Sequence, residues 1–477
     1  MPQSTIFTYS PSKPDSQPSE SRTRRLIAAS EASISALKAQ VVAEREVLAR
    51  LRAVVAPVRK LPAELLLEIF MLILVEVGKE THRIGFVRSR LRPRLALTQV
   101  CARWRHVMHT SPQIWAVGIE LYVRQSTTSD DLAAVQRWLD RSAPLPIPIS
   151  LSSGLDALSS SAMEVLCSTA HRWAKATLHA LSLCCLTRIP EGSLTSLTTL
   201  ELSGGTDDQF DPAKLTVFSN APNLRTLTLY INYPTRIPMP WSQLTSLTFA
   251  EFPLTCLEIL RRCTRLVTAV FDTAGWEFVP DLSLIRMITI GSLTNLSITV
   301  SENNFPSEHF MPFLSRLALP ELKVLRLYLD PPNTNWDTIE FTQFQLRSPN
   351  LEELTIRESP LTSDALIAVL RSSPSLANLT MHKCPHSFND DVIDALRYLG
   401  EDGRYTAPKL EEILLTQSGQ SFDPENLEEM IRSRWWTDEE LAAMPSPPAV
   451  ARWGKVSVYA GSENSYRHFR REFKGHF

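Results

Sequence analysis

The residues best placed to do chemistry are those of His382-Lys383-Cys384-Pro385-His386, where two imidazoles and a thiol fall within one short segment. A structural zinc site needs four ligands in modules of defined spacing; here neither the spacing nor a fourth ligand is found, so a turn is expected and no metal. Asp207-Asp208 and Glu352-Glu353 are the adjacent carboxylate pairs. Neighbours on a strand point to opposite faces, so neither pair can flank one substrate as acid and base. His106 and His109 only follow Trp104 toward a helix end. The sequence contains no H-E-x-x-H, G-x-S-x-G, G-x-x-x-x-G-K-[ST] or G-x-G-x-x-G, and its 15 glycines in 477 residues leave few turns able to cradle a phosphate. No catalytic residue and no cofactor are expected.

A chain without such a site must work through surfaces, and the elements that would carry them can be read in order. The composition, 44% apolar and 21% charged, is that of a globular protein long enough to bury a large core. Residues 1–120 carry 18 Lys/Arg against 10 Asp/Glu, and 121–477 carry 31 against 41. The arginines are spread along helices rather than clustered, so nucleic acid is not the expected partner. Seven scattered cysteines without C-x-x-C fit a reducing compartment, the cytoplasm or nucleus. Residues 1–21, rich in proline and serine, read as a disordered tail without a signal peptide or anchor. The most apolar stretch, Leu65 to Val77, is broken by Glu68 and Glu76 and falls short of the ~20 residues of a membrane span, so none is expected.

In 22–57, Ile27, Ile34, Val41, Leu48 and Val55 recur every seven residues, with Leu37 and Leu51 on the adjoining seam and Ser30 and Glu44 interrupting it. The spacing predicts one helix ending at Pro57, either a coiled coil that makes a homodimer or a helix packed on the next domain.

Residues 58–121 open Leu61-Pro62-Ala63-Glu64-Leu65, with proline suited to a first helical turn and Glu64 to the positive helix end. The following helix carries leucine, isoleucine and phenylalanine around most of its circumference, including Ile69 and Phe70, more than a small helical core can hide. An arginine-rich insert, Glu76 to Arg92, is expected to be a loop. Then comes Leu97-Thr98-Gln99-Val100-Cys101-Ala102-Arg103-Trp104, in which Leu97, Val100, Cys101 and Trp104 should share a helical face, and a trailing Trp115. Leu-Pro-x-Glu-Leu, Ile-Phe, Val-Cys-x-x-Trp-Arg and the last Trp, in that order, resemble an F-box, and the preceding heptad helix resembles that of F-box-like proteins of mushroom-forming fungi. The resemblance implies docking to a Skp adaptor, and through it to cullin, by Leu61, Pro62, Leu65, Ile69, Phe70, Leu97, Val100, Cys101 and Trp104.

A helical linker is expected over 122–165. From 166 to 461 the pattern L-x-x-L-x-L recurs: clear copies start at Leu197, Leu224, Leu244, Leu293, Leu322, Leu351, Leu376 and Leu410, and degenerate ones at Trp173, Leu266 and Trp453. The period averages about 26 residues, in the range of leucine-rich repeats. The expected fold is therefore an α/β leucine-rich-repeat solenoid, a curved parallel sheet with outer helices, preceded by a small all-α F-box-like domain and the heptad helix. Its concave face would present Tyr230, Asp272, Arg326, Tyr328, Glu353, Arg357, His382, Glu412 and Tyr459 to a target protein, tyrosine and arginine being frequent interface anchors. Residues 462–477 read as a basic tail.

Three functions follow. The resemblance implies a non-catalytic substrate receptor of an SCF-type cullin–RING ubiquitin ligase. A scaffold with no adaptor is the alternative, expected if the apolar face around Ile69 and Trp104 is covered by other parts of the chain. A hydrolase would require a nucleophile, a base and an orienting group in one place.

Overall fold

The computed structural model describes residues 20–80, 87–117, 119–123, 128–153, 160–179, 183–204, 210–274, 276, 282, 285–301, 310–329, 335–400, 405–418, 422–444 and 446–459. The expected tails, but for residues 20 and 21, lie outside them, as do Asp207 and Asp208. The chain forms two compact units that divide after Phe70.

The first unit contains helix α1 (Glu20–Val55), a 3-10 turn over Pro57–Lys60 and the start of helix α2 (Ala63–Glu80). Pro57 ends α1 because proline has no amide hydrogen to continue the helix ladder. The Pro62 carbonyl accepts from the Leu66 amide at 3.2 Å, opening α2 where the Leu-Pro-x-Glu-Leu motif predicts a helix start. Among the side chains described in 22–55, every one is exposed. By length and composition alone, the helical stretch Arg22–Lys60 contains an 18-residue window of mean hydropathy 1.2, apolar enough to cross a membrane.

The second unit opens with the end of α2 and helices α3 (Val87–Val100), α4 (Ala102–Thr110) and α5 (Pro112–Ala116). The insert expected to be a loop is mostly helical, since α2 continues to Glu80 and α3 begins at Val87; good helix formers around Glu76 and Arg88 outweigh its polarity. There follow β1 (Ile119–Val123), α6 (Ser129–Arg141), β2 (Ile147–Ser153), α7 (Ser160–Cys167), β3 (Trp173–His179), α8 (Leu183–Leu186), β4 (Thr199–Ser203), β5 (Thr226–Tyr230), β6 (Ser246–Ala250), α9 (Pro253–Arg262), β7 (Thr268–Thr273), β8 (Ile288–Thr289) and β9 (Asn295–Val300). The remainder is α10 (Phe310–Ser315), β10 (Leu317–Ala318), β11 (Val324–Leu329), α11 (Thr338–Leu346), β12 (Glu353–Arg357), α12 (Ser363–Arg371), β13 (Asn378–His382), α13 (Asp390–Leu396), β14 (Glu412–Thr416), α14 (Pro424–Ser433), α15 (Asp438–Ala443) and β15 (Lys455–Tyr459).

Thirteen strands form one sheet in chain order, omitting only β8 and β10, which pair with each other. Every pairing is parallel, so the fold is α/β and solenoid-like. All eleven copies of the leucine pattern fall on strands β3–β7, β9 and β11–β15, with equivalent positions in register: Leu325 is level with Leu354, Leu379 and Ile413. The helical linker expected over 122–165 is corrected: it contains helices α6 and α7, but also β2, which already belongs to the sheet, as does β1, which begins inside the stretch expected to be an all-α domain. In β2 the alternating Ile147, Ile149 and Leu151 are buried, with Pro148 and Ser150 between them, and Pro146 stands where the pattern would open on leucine.

Strand periodicity decides which side faces in. In β5, β6 and β12 the even-phase residues Leu227, Leu229, Leu247, Phe249, Leu354 and Ile356 are buried to 1% exposure or less, while their neighbours lie on the open face. Helices α9 to α14 cover the buried side, and aromatic side chains pack within it, with Trp276 edge-on to Phe310 and Phe313 at 5.6 and 5.5 Å. Buried arginines tie neighbouring segments together: Arg172 donates to the Leu145 and Leu139 carbonyls and to Ser142 Oγ. Arg434, fully buried, donates to the Thr406 and Ala407 carbonyls and stacks on Trp453. Burial pushes its guanidinium down to about 10.

Candidate functional site

Two surfaces are candidates. The first is the adaptor set. Its members Leu61, Pro62, Leu65, Ile69 and Phe70 belong to the first unit, and Leu97, Val100, Cys101 and Trp104 to the second. On α2, Leu65 and Ile69 stand one helical turn apart and are 45% and 38% exposed, with Pro62 exposed and Leu61 half-buried. Phe70 is fully buried, so its place in the docking set is corrected: at about 100° per residue it is turned away from Ile69 onto the stripe it shares with buried Leu66, one turn earlier. In the second unit Val100 is 58% exposed but Leu97 is buried and is also withdrawn. The helix expected to run through Cys101 breaks there. Cys101 takes an extended conformation and its Sγ accepts from the Trp104 amide, capping α4, so Leu97 and Trp104 lie on different helices. A cysteine in place of the usual Ser, Thr or Asp cap gives no sequence signal of a break.

The second candidate is the open face of the sheet. Strand register sets Asp272, Thr299, Tyr328, Arg357, His382, Thr416 and Tyr459 in a single transverse row. Adjacent strands lie about 4.8 Å apart, so consecutive members from Asp272 to Thr416 are side-chain neighbours. The Arg357 guanidinium stacks over Tyr328 at 5.4 Å. His382, next in the row, titrates below the usual imidazole range, first because of partial burial and then through the positive charges of Arg357 and Lys383. Arg326 lies one row back and meets Glu353 at 3.4 Å; Lys383 meets Glu358 at 2.9 Å. Arg357 has no carboxylate partner among the described residues. Asp272 accepts from Ser301 Oγ at 2.7 Å, Glu412 is exposed at the far side, and Tyr230 stands 50% exposed. Thus eight of the nine predicted residues lie on this face with described side chains, and Tyr459 is placed there by strand register.

Sequence reasoning missed one constellation. In the row that leads to Tyr230, His179 Nδ1 and Ser203 Oγ lie 2.5 Å apart, and His179 Nε2 is 3.7 Å from Glu201 Oε1. Both His179 and Ser203 directly follow the last apolar residue of their repeat, which is the signal that makes them neighbours. The three form a polar ladder across β3 and β4; an acyl-transfer site would also need oxyanion donors, and the strand amides there are engaged in parallel pairing.

His382, Cys384 and His386 do not converge. The residues after β12, β13 and β14, namely Glu358, Lys383 and Gln417, take left-handed φ of 57°, 53° and 49°. That turn directs the next residue inward: Ser359, Cys384 and Ser418 are buried to 2% or less, and the Cys384 amide donates to Ser418 Oγ. Cys384 is therefore interior while His382 is on the face, and burial pushes its thiol up. Among the described residues no group of three metal-capable side chains comes together. No protein-family model and no curated protein matches the chain.

Proposed function

We propose that the chain is a substrate-receptor subunit of an SCF-type cullin–RING ubiquitin ligase, with α2 docking a Skp adaptor and the open sheet face holding a target protein. The observation that carries the reading is the exposure of Leu65 and Ile69 on the helix opened by Leu61-Pro62-Ala63-Glu64-Leu65. The scaffold alternative would gain if the apolar face around Ile69 and Trp104 were covered by its own chain; Ile69 is 38% exposed and Trp104 half-buried. The leucine-rich-repeat identity of the sheet is supported by its period and by Ser359, Cys384 and Ser418. They occupy the ninth repeat position, where such repeats carry asparagine or cysteine; Cys384 matches that pattern, and serine takes the place in the other two. The row of Tyr328, Arg357 and His382 supplies the aromatic and cationic anchors a target site needs. In this reading the chain does no chemistry; it raises the target's effective concentration beside a charged ubiquitin carrier.

The test is co-purification with a Skp adaptor of the full chain and of Leu65→Asp/Ile69→Asp. Both positions are exposed, so circular dichroism should be unchanged. Two lost apolar contacts and two carboxylates at an apolar interface should weaken binding by about 100-fold or more. Failure of the folded wild-type chain to bind overturns the receptor reading in favour of the scaffold.

A further inference from the structure

Eleven large apolar side chains of α1, from Leu26 to Val55, are between 46% and 72% exposed. Apolar surface of this extent along a 36-residue helix marks an interaction face. We propose that α1 pairs with α1 of a second copy as a parallel, in-register, two-stranded coiled coil, an inference that does not depend on the ligase reading.

Three features of the sequence, laid on this helix, select that occupant and orientation. First, the five residues of one seam position are Ile27, Ile34, Val41, Leu48 and Val55, four of them β-branched, and the companion seam position carries Leu37 and Leu51. β-Branched residues at the first seam position with leucine at the second favour two parallel strands over three or four. Second, the flanks agree. In parallel register Lys38, Arg45 and Arg52 face the partner's Ser33, the partner's Gln40 and the partner's Val47, so their aliphatic stems can cover the seam without meeting like charge. Antiparallel pairing instead sets Lys38 against the partner's Lys38 and Arg24 against the partner's Arg52, offset only by Glu31 with the partner's Arg45. Third, parallel register puts all five apolar residues of the first seam against their own copies. Antiparallel pairing spends Ile34 on the partner's Glu44 and Leu48 on the partner's Ser30. Parallel pairing does oppose Glu44 to the partner's Glu44, which weakens the dimer but fixes its register, since a slip by one heptad would set Glu44 beside the apolar seam residues of the partner's next turn.

The experiment is light scattering and sedimentation of the full chain over a range of concentrations, with variants. The wild-type chain should reach a mass of twice 53.7 kDa. Ile34→Asp/Val41→Asp should stay at the single mass with the circular dichroism of the sheet retained, and Glu44→Leu should tighten the dimer roughly tenfold or more. Ile34→Cys alone should form a disulfide-linked dimer, because equivalent residues of this seam face each other in parallel register, while the wild-type chain under the same oxidation does not. A monomer at every concentration, a trimeric or larger mass, or a dimer that survives Ile34→Asp/Val41→Asp overturns the proposal. So does a crosslink that requires Ile34→Cys on one copy and Glu44→Cys on the other, which marks antiparallel pairing. Flotation of the wild-type chain with phosphatidylcholine vesicles, abolished by Ile34→Asp/Val41→Asp, would assign the apolar face to a membrane instead.

Discussion

Arg94 offers the sharpest check on how the helical segment 87–116 is fastened to the first strand. It is only 4% exposed, its Nε donates to the Ile114 carbonyl at 3.1 Å and its Nη2 to the Val117 carbonyl at 2.6 Å, and its guanidinium stacks on Trp138 at 4.9 Å. It thereby closes the end of α5, where helix carbonyls have no intrahelical donor, and orients the chain entering β1. A hydrogen bond from a charged donor contributes about 1.5–3 kcal/mol, and a desolvated cation over an indole up to about 2 kcal/mol. Relief of the buried charge offsets part of the loss when the side chain is replaced. For Arg94→Met, which keeps the stem but leaves two buried carbonyls without this donor, the net cost is about 3 kcal/mol, or about 100-fold or more in the local opening equilibrium. Hydrogen exchange read over peptides spanning 112–123 and 129–141 should show that acceleration, with the near-ultraviolet dichroism of Trp115 and Trp138 reduced and exchange in β11–β14 unchanged. Exchange in those two peptides at the wild-type rate would refute the reasoning, since it would mean that neither carbonyl depends on Arg94.

Further outcomes follow from the same geometry. Leu354→Ala, at a fully buried position in β12, should cost about 2–5 kcal/mol in denaturant unfolding, whereas Thr355→Ala on the open face should cost under about 1 kcal/mol; equal effects would contradict the assigned strand phase. His382 should titrate below 6.5 by nuclear magnetic resonance, and Arg357→Ala should raise its midpoint by removing a neighbouring positive charge. Because its folded value is depressed, neutral His382 favours the fold above the unfolded imidazole value, and that contribution is lost as pH falls through the folded value. A midpoint unmoved by Arg357→Ala would place the two side chains apart. Among the thiols, exposed Cys184 should react first with a disulfide reagent, while buried Cys256 and Cys263, the latter pushed up to about 12, should react only on unfolding. Fast labelling of Cys263 in the native protein would contradict its burial.

The sequence by itself determined the repeat phase, the strand faces and the open-face row. A parallel sheet of equivalent segments leaves one register in which all leucines point inward, so the side chains between them must align. For that reason Tyr328, Arg357 and His382 could be named without coordinates, and so could the limits of α1 between Glu20 and Pro57. Even the missed pair His179 and Ser203 was legible once positions were counted from the repeat. What only the tertiary structure decided was where local pattern and long-range packing disagree. Residues 122–165 read as a helical linker, but β1 pairs with β2 and β2 with β3, and a strand's stability comes from its neighbours rather than its own residues. The burial of Phe70 and Leu97 likewise could not be read locally, because a helix apolar around most of its circumference does not say which side the rest of the protein will cover. The break at Cys101 uses an ordinary extended backbone that its residue type does not announce, and the inward turn of Cys384 depends on a left-handed Lys383, a conformation a non-glycine residue keeps only when the surrounding structure holds it there. Strand periodicity thus decides which sheet residues share a face; long-range burial decides where helices break and which faces remain open to a partner.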